Sequence, residues 1–286
     1  MDTLDADSDT QHQLRADGRP DSAQERVNTL FDSTVSYWDE VYRGDDLQAL
    51  IYRERQNAVL AYADAVGLQA EARVLEIGCG AGHLTMQLAE RRLRVEAVDA
   101  SEAMVGITTR RARERGFEEQ VTVGMADVHA LPFKSSHFDL VVAVGVMPWL
   151  HSPSDAIEEM ARVLRHGGQL ILTADNGARL ISFTDPRAIL ALTPLRRLYH
   201  AMRKRQGMAM SRLDFPRRID RLLVQGGLRP VERRTVGFGP LSFFRRSLFR
   251  ESRAIKINNR LQALADRGVP GLKWTGWHYL VRAKKL

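Results

Sequence analysis

The chain predicts an α/β fold in which a mostly parallel sheet is covered by helices on both faces. Three observations carry this expectation. Apolar runs of strand length alternate with amphipathic helical stretches between residues 71 and 174. The runs at 141–144 and 170–172 are apolar throughout, without in–out alternation, as strands buried on both faces are. The first run, 74–77, leads straight into Gly78, Gly80 and Gly82 and then an amphipathic helix, a strand–turn–helix unit that accommodates an anionic group.

Taken in order, residues 1–25 are polar, acidic and poor in aliphatics, which predicts a disordered tail. Residues 26–66 predict helices, with Val27, Leu30, Phe31 and Val35 at helical spacing, Tyr37, Trp38, Val41 and Tyr42 continuing that face, and a second helix over 47–66. Strand one, 74–77, precedes a helix with Leu84 and Leu88 on one side. Strand two, 95–98, ends at Asp99; strand three, 121–125, leads to Asp127; strand four spans 137–144. A helix and the Gly167-Gly168 turn feed strand five at 170–172. The pattern then breaks. Residues 175–215 hold Pro186, Pro194 and a basic helix candidate with Leu192, Leu195, Leu198, Tyr199 and Met202 on one face. A helix over 216–226 turns Ile219, Leu222 and Leu223 inward and stops at Gly226-Gly227. Strand six covers 231–236. Strand seven, 277–283, is expected to be antiparallel, at or near the sheet edge. Between them lies a long insert, 237–275, with Phe238, Phe243, Phe244 and Phe249 among arginines.

Ligands in such sheets bind beyond the C-terminal strand ends, where the glycine turn, Asp99, Asp127 and Gly145 fall. The turn reads G-x-G-x-G, with His83 where a dinucleotide fingerprint would have its third glycine. Glu76 in the strand end followed by Gly-Cys-Gly-x-Gly resembles motif I of class I S-adenosylmethionine (SAM)-dependent methyltransferases. Asp99-Ala100-Ser101, Ala126-Asp127-Val128, strand four and the Val163–Leu172 segment follow in the order of that family, over about 100 residues. The stretch 126–133 and the Val-Leu-Arg-His-Gly-Gly turn look like its small-molecule branch, akin to the ubiquinone/menaquinone-biosynthesis methyltransferases. Those relatives often carry a histidine where Trp149 stands.

The resemblance implies a Rossmann-like, seven-stranded, mostly parallel sheet with strand seven antiparallel and helices on both faces. It also implies an N-terminal helical lid (26–70) and a catalytic domain (71–286) with cap insertions at 175–215 and 237–275. SAM is the implied cofactor. Its contacts would be Glu76, Gly78, Cys79, Gly80 and Gly82 at the turn, Asp99, Ala100 and Met104 around the ribose, Asp127 and Val128 at the adenine, with Val144 and the lid residue Tyr37 completing the site.

For the acceptor side, His151 lies just past strand four, and histidine titrates in the range useful for proton transfer; His83, His129, His200 and His278 are further candidates. Trp149, Phe243 and Phe244 would receive an apolar body and Arg245 a negative group. An Asn/Asp-Pro-Pro-aromatic box is absent after strand four, where Gly145-Val146-Met147-Pro148-Trp149 stands, so amide or adenine-amine methylation is disfavoured. The single cysteine, Cys79, lies in the turn, which disfavours pyrimidine C5 chemistry. No His/Asp/Glu set has metal-ligand spacing.

Charge is uneven. Residues 187–286 hold 24 Lys+Arg against 5 Asp+Glu, whereas 1–186 hold 18 against 30. The basic third allows an anionic acceptor or an acidic carrier protein as partner; the alternatives are a peripheral-membrane enzyme acting on a lipid or lipid-linked acceptor, or an RNA methyltransferase using this basic third, the latter disfavoured because no appended RNA-binding motif is present. One cysteine, no transmembrane-length apolar run and a polar start predict a cytoplasmic protein.

Overall fold

The computed structural model describes residues 23–180, 212–243 and 246–286. The tail at 1–22 and the basic helix candidate near 190–205 lie outside these residues. The seven main strands are β1 (Arg73–Ile77), β2 (Arg94–Asp99), β3 (Val121–Met125), β4 (Phe138–Ala143), β5 (Leu164–Asp175), β6 (Leu228–Val236) and β7 (His278–Lys285). They form one sheet in the order β3-β2-β1-β4-β5-β7-β6. Strands β1 to β5 pair in parallel, and β7 runs antiparallel between β5 and β6. Strand seven therefore sits one position in from the edge, with β6 outside it. Strand β5 runs on to Asp175 rather than stopping at Leu172, because β7 pairs with it from Gln169 to Asp175 and matches Asp175 with His278.

The helices are α1 (Ala23–Ser33), α2 (Val35–Glu40), α3 (Leu47–Val66), α4 (His83–Ala89), α5 (Glu102–Glu114), α6 (Pro153–Val163), α7 (Pro216–Gln225) and α8 (Glu251–Asp266). Two cores explain the all-apolar strands. Leu75, Ile77, Val141, Ala143, Leu170, Leu172 and Val281 pack against Ile157, Met160, Ile219 and Leu223 of α6 and α7. The intervening residues Val74, Val95, Leu140, Val142, Ile171 and Leu280 pack on the other face against Val59, Leu84, Met86, Leu88 and Ala112 of α3, α4 and α5. The central strands β1, β4 and β5 thus bury odd and even positions against different helices.

Helix α3 begins where the Asp46 side chain accepts a hydrogen bond from Ala49 N at 2.7 Å, and ends at Gly67 in the left-handed conformation. The 237–275 insert buttresses this helix. From α8, Asn258 Oδ1 accepts from Phe238 N at 2.8 Å and Gln262 Oε1 from Gly237 N at 2.9 Å. A Cβ on Gly237 would lie 2.5 Å from Ile51 of α3. Phe249 joins the small cluster of Leu47, Ile51 and Ala254. The described part of the insert therefore packs behind α3. No described helix is long and apolar enough to cross a membrane.

Candidate active site

The strand order reverses between β1 and β4, and a cavity of about 320 Å³ opens at the C-terminal strand ends there. The glycine turn forms its floor. Gly78, Gly80 and Gly82 all have positive φ (69°, 54° and 76°), which L side chains adopt at a penalty. Their surroundings separate their roles. A Cβ on Gly78 would meet Val146 at 2.5 Å and one on Gly82 would meet Thr108 at 2.8 Å, whereas one on Gly80 meets nothing within 4 Å. Gly78 and Gly82 serve internal packing; Gly80 leaves room on the cavity side for a ligand to reach the backbone.

Three carboxylates surround the turn. Glu76 is 3% exposed and faces α4, where its Oε2 accepts from Thr85 Oγ1 at 2.6 Å. Burial, reinforced by the nearby Asp99 charge, pushes its carboxyl up to about 8. Asp99, at the end of β2, accepts from Gly80 N at 2.9 Å and from Ser101 N at 3.0 Å. Burial raises its pKa against these bonds. Asp127, beyond β3, accepts from both the backbone N and Nδ1 of His129, at 2.9 and 2.7 Å. Burial opposes ionisation there, but the His129 bonds outweigh it and hold the carboxyl below its usual range.

Of the residues expected to contact cofactor, Glu76, Gly78, Cys79, Gly80, Asp99, Ala100, Met104, Asp127, Val128 and Val144 line the cavity. Gly82 caps α4 just behind the turn. Tyr37 does not line it: the phase of the short helix α2 leaves Tyr37 44% exposed, its hydroxyl accepting from Gln48 Nε2 at 2.7 Å, and turns Trp38 inward instead. His151 also falls outside. The 3-10 turn Met147–Trp149 carries the chain past the rim, where exposed His151 packs at a tilt on His129 with centroids 3.7 Å apart. Trp149 lines the cavity, and the Phe31 ring meets it edge-on at 5.2 Å. Phe243 pairs with Arg246 in a two-residue ladder; its side chain, together with Phe244 and Arg245, lies outside what the structure describes.

Helices α1 and α2 cover the opening. Phe31, Trp38 and Tyr42 line it from above. Asp39 ties this cover to the turn: it pairs with Arg111 of α5, which also donates to the Ala81 carbonyl there. His83 Nε2 lies 3.1 Å from the Asp39 carbonyl, and burial holds its ring below the ordinary imidazole range.

Beyond β4 the cavity continues into a part that the sequence left largely unread. Tyr52 and Arg55, one turn apart on α3, meet Asp175 and His278 from the paired ends of β5 and β7. Arg55 is 5% exposed. Its guanidinium lies over the Tyr52 ring at 4.6 Å and donates to Tyr42 Oη at 3.3 Å. Among the described residues no carboxylate is within ion-pair distance of it, and its Nε is buried without a hydrogen-bond partner. His278 Nδ1 lies 3.1 Å from Asp175 Oδ1. Burial, then the Arg55 charge, pushes the His278 ring down to about 4. Asp175 is held below the usual carboxylate range despite burial, through the His278 bond and the charges of His278, Arg55 and Arg179. The signal for Asp175 was available, since it follows a strand at the same sheet end as Asp99. Arg55 carried none, being one of many arginines on a helix. Among the described residues no group of three His, Cys, Asp or Glu side chains could hold a metal.

Residues 75–172 match the family model described as a methyltransferase domain. A methyltransferase from Streptomyces halstedii, GfsG, is 30% identical over 155 residues, covering 53% of this chain and 54% of that protein. A ubiquinone/menaquinone biosynthesis C-methyltransferase from Rhizobium meliloti is 27% identical over 155 residues, covering 52% and 58%. The chain thus spans little more than half the length of these relatives. The magnesium protoporphyrin IX methyltransferase of Synechocystis, solved with bound S-adenosylhomocysteine, matches with a TM-score of 0.63 at 19% identity, over 93% of this chain and 100% of that one. At that identity the likeness is one of fold.

Proposed function

With a class I SAM-dependent methyltransferase domain in this chain, we propose that the protein moves the SAM methyl group to an O, N or activated C atom of a small or medium-sized, partly apolar and anionic acceptor in a biosynthetic pathway. The observation that carries this reading is the two-part cavity: carboxylates and the open Gly80 turn on one side of β4, and on the other a buried guanidinium among aromatic rings with no ion-pair partner among the described residues. The residues present fit the cofactor. Glu76 and the turn would take its amino-acid end, Asp99 the ribose hydroxyls, and Asp127 with Val128 the adenine. When bound, the cofactor supplies an electrophilic methyl on a sulfonium. The chain's own part is alignment and exclusion of water. Arg55 would orient an anionic group, Trp149 and Tyr52 would bury an apolar body, and the α1–α2 cover with the Asp39 latch would act as the lid over both.

The test is calorimetric SAM binding followed by methyl transfer from labelled SAM to extracts fractionated by size and charge. No SAM binding would refute the donor assignment; label moving only into macromolecular RNA would refute the small-acceptor assignment. A cytoplasmic setting fits one cysteine and the absence of a membrane-length helix among the described residues. The basic C-terminal third supports docking to an acidic carrier or an anionic membrane surface as the alternative route to the acceptor. Flotation with anionic vesicles separates the two, since a carrier-bound acceptor predicts no co-migration.

A further inference from the structure

The donor reading leaves Arg55, Asp175 and His278 without a role, yet all three line the cavity beyond β4. His278 is 2% exposed. Its Nδ1 is committed to the Asp175 carboxylate, an acceptor, which places the ring proton on Nδ1 and leaves a lone pair on Nε2. That Nε2 is buried and has no hydrogen-bond partner among the described residues. A buried lone pair without a donor is unfavourable, and the group that satisfies it must bring a hydrogen. Arg55 beside it is a buried cation with no carboxylate within ion-pair distance among those residues, so the same spot accommodates further negative charge.

We propose that His278 is the proton acceptor for a hydroxyl on the acceptor molecule, with Asp175 positioning its ring and Arg55 stabilising the oxygen as it loses its proton. This rests on the methyl-transfer reading and names the acceptor class within it. The O–H bond breaks with its proton passing to His278 Nε2. The oxygen electron pair forms the new bond to the methyl carbon while the C–S bond breaks, its pair remaining on sulfur. The products are a methyl ether, a neutral thioether and a protonated His278, which releases its proton to solvent when the site opens.

The charged and titratable groups facing His278 define the hydroxyl. Arg55 and Tyr52 approach from α3, and Asp175 and Arg179 from the end of β5. Burial and the two arginines make the imidazole a weak base, which matches an acidic hydroxyl of the phenol or enol class rather than an alkyl alcohol. The aromatic rings of Tyr52, Phe31 and Trp149 around the cavity suit a planar, unsaturated body.

The test uses 4-nitrophenol, whose phenolate absorbs in the visible, titrated into the full chain saturated with S-adenosylhomocysteine. The wild type is expected to bind the probe and to ionise it at a lower pH than free solution does. His278→Gln and Arg55→Gln should each weaken phenolate binding about tenfold or more and return its ionisation toward the solution value. Asp175→Asn should shift the ionisation in the same direction with a smaller loss of binding. A wild type that neither binds nor ionises the probe, or a folded His278→Gln that ionises it as the wild type does, overturns the proposal. If a variant fails to fold by circular dichroism, the wild-type titration alone decides. Binding of S-adenosylhomocysteine is measured separately by calorimetry. Its absence would sink the donor reading, whereas intact cofactor binding with an unshifted probe sinks only the role of His278.

Discussion

Glu76→Gln isolates the electrostatics of the donor site. Glu76 is buried beside Thr85 with Asp99 near, and its carboxyl titrates at about 8 instead of the ordinary 4.5. In the unfolded chain it ionises at its ordinary value. Between these two pH values the folded state therefore holds a proton that the unfolded chain has released. Its contribution to stability is present in full below the unfolded pKa and is lost as pH rises through the folded one. At about 1.4 kcal/mol per unit, the loss approaches about 5 kcal/mol above pH 8. Glutamine preserves an acceptor for the Thr85 hydroxyl and removes the ionisation. Urea unfolding of both proteins at about pH 5 and about pH 8 should show Glu76→Gln gaining several kcal/mol relative to wild type at the higher pH. Titrating groups remote from Glu76 are common to the two proteins and cancel. Parallel pH profiles would refute the reasoning, because they would mean the carboxylate is no harder to ionise inside the protein than outside. The same logic extends to the cofactor. An ammonium group brought beside Glu76 would favour its ionised form, so SAM binding near neutral pH should release a proton, seen as a dependence of the calorimetric heat on buffer ionisation enthalpy. That dependence should vanish in Glu76→Gln.

The remaining predictions concern single contacts. Asp99→Ala removes the proposed partner of the ribose and should weaken SAM binding by about 1.5–3 kcal/mol, tenfold or more by calorimetry; unchanged affinity would show the ribose lies elsewhere. Gly80→Ala and Gly82→Ala should differ, because a Cβ at Gly80 enters open space while one at Gly82 meets Thr108 at 2.8 Å. The first should cost about 1 kcal/mol of stability and most of the SAM affinity, the second several times more stability in thermal melts. Asp39→Ala breaks the pairing with Arg111 and should speed proteolysis within α1 and α2 while leaving the melting of the main sheet domain within a few degrees of wild type; equal proteolysis rates would remove the latch. Phe138→Ala, at a fully buried position of the larger core, should cost about 3–5 kcal/mol by denaturation.

How much of this was legible beforehand depended on how local the signal was. The strand–glycine–helix unit at 74–89 and the aspartates at the ends of β2 and β3 could be placed because each follows its strand directly, so knowing the strand locates the residue at the site. Tyr37 and His151 were misplaced for a related reason: both sit on short irregular segments where a change of one residue in helical phase or one 3-10 turn moves a side chain off the cavity. Trp38 replaces Tyr37 at the lining through that one-residue shift.

By itself the sequence determined the mostly parallel sheet and the glycine turn at its C-terminal end, because short-range hydrophobic periodicity and glycine backbone freedom dictate them. The tertiary structure decided which residues meet in the cavity beyond β4. His278 lies 103 residues from Asp175 along the chain, and Arg55 lies on a helix that precedes the sheet. They meet only because β7 inserts antiparallel between β5 and β6 and α3 packs across the strand ends. No local pattern encodes a contact made by closing chain segments that long; it is fixed by which faces must be buried together.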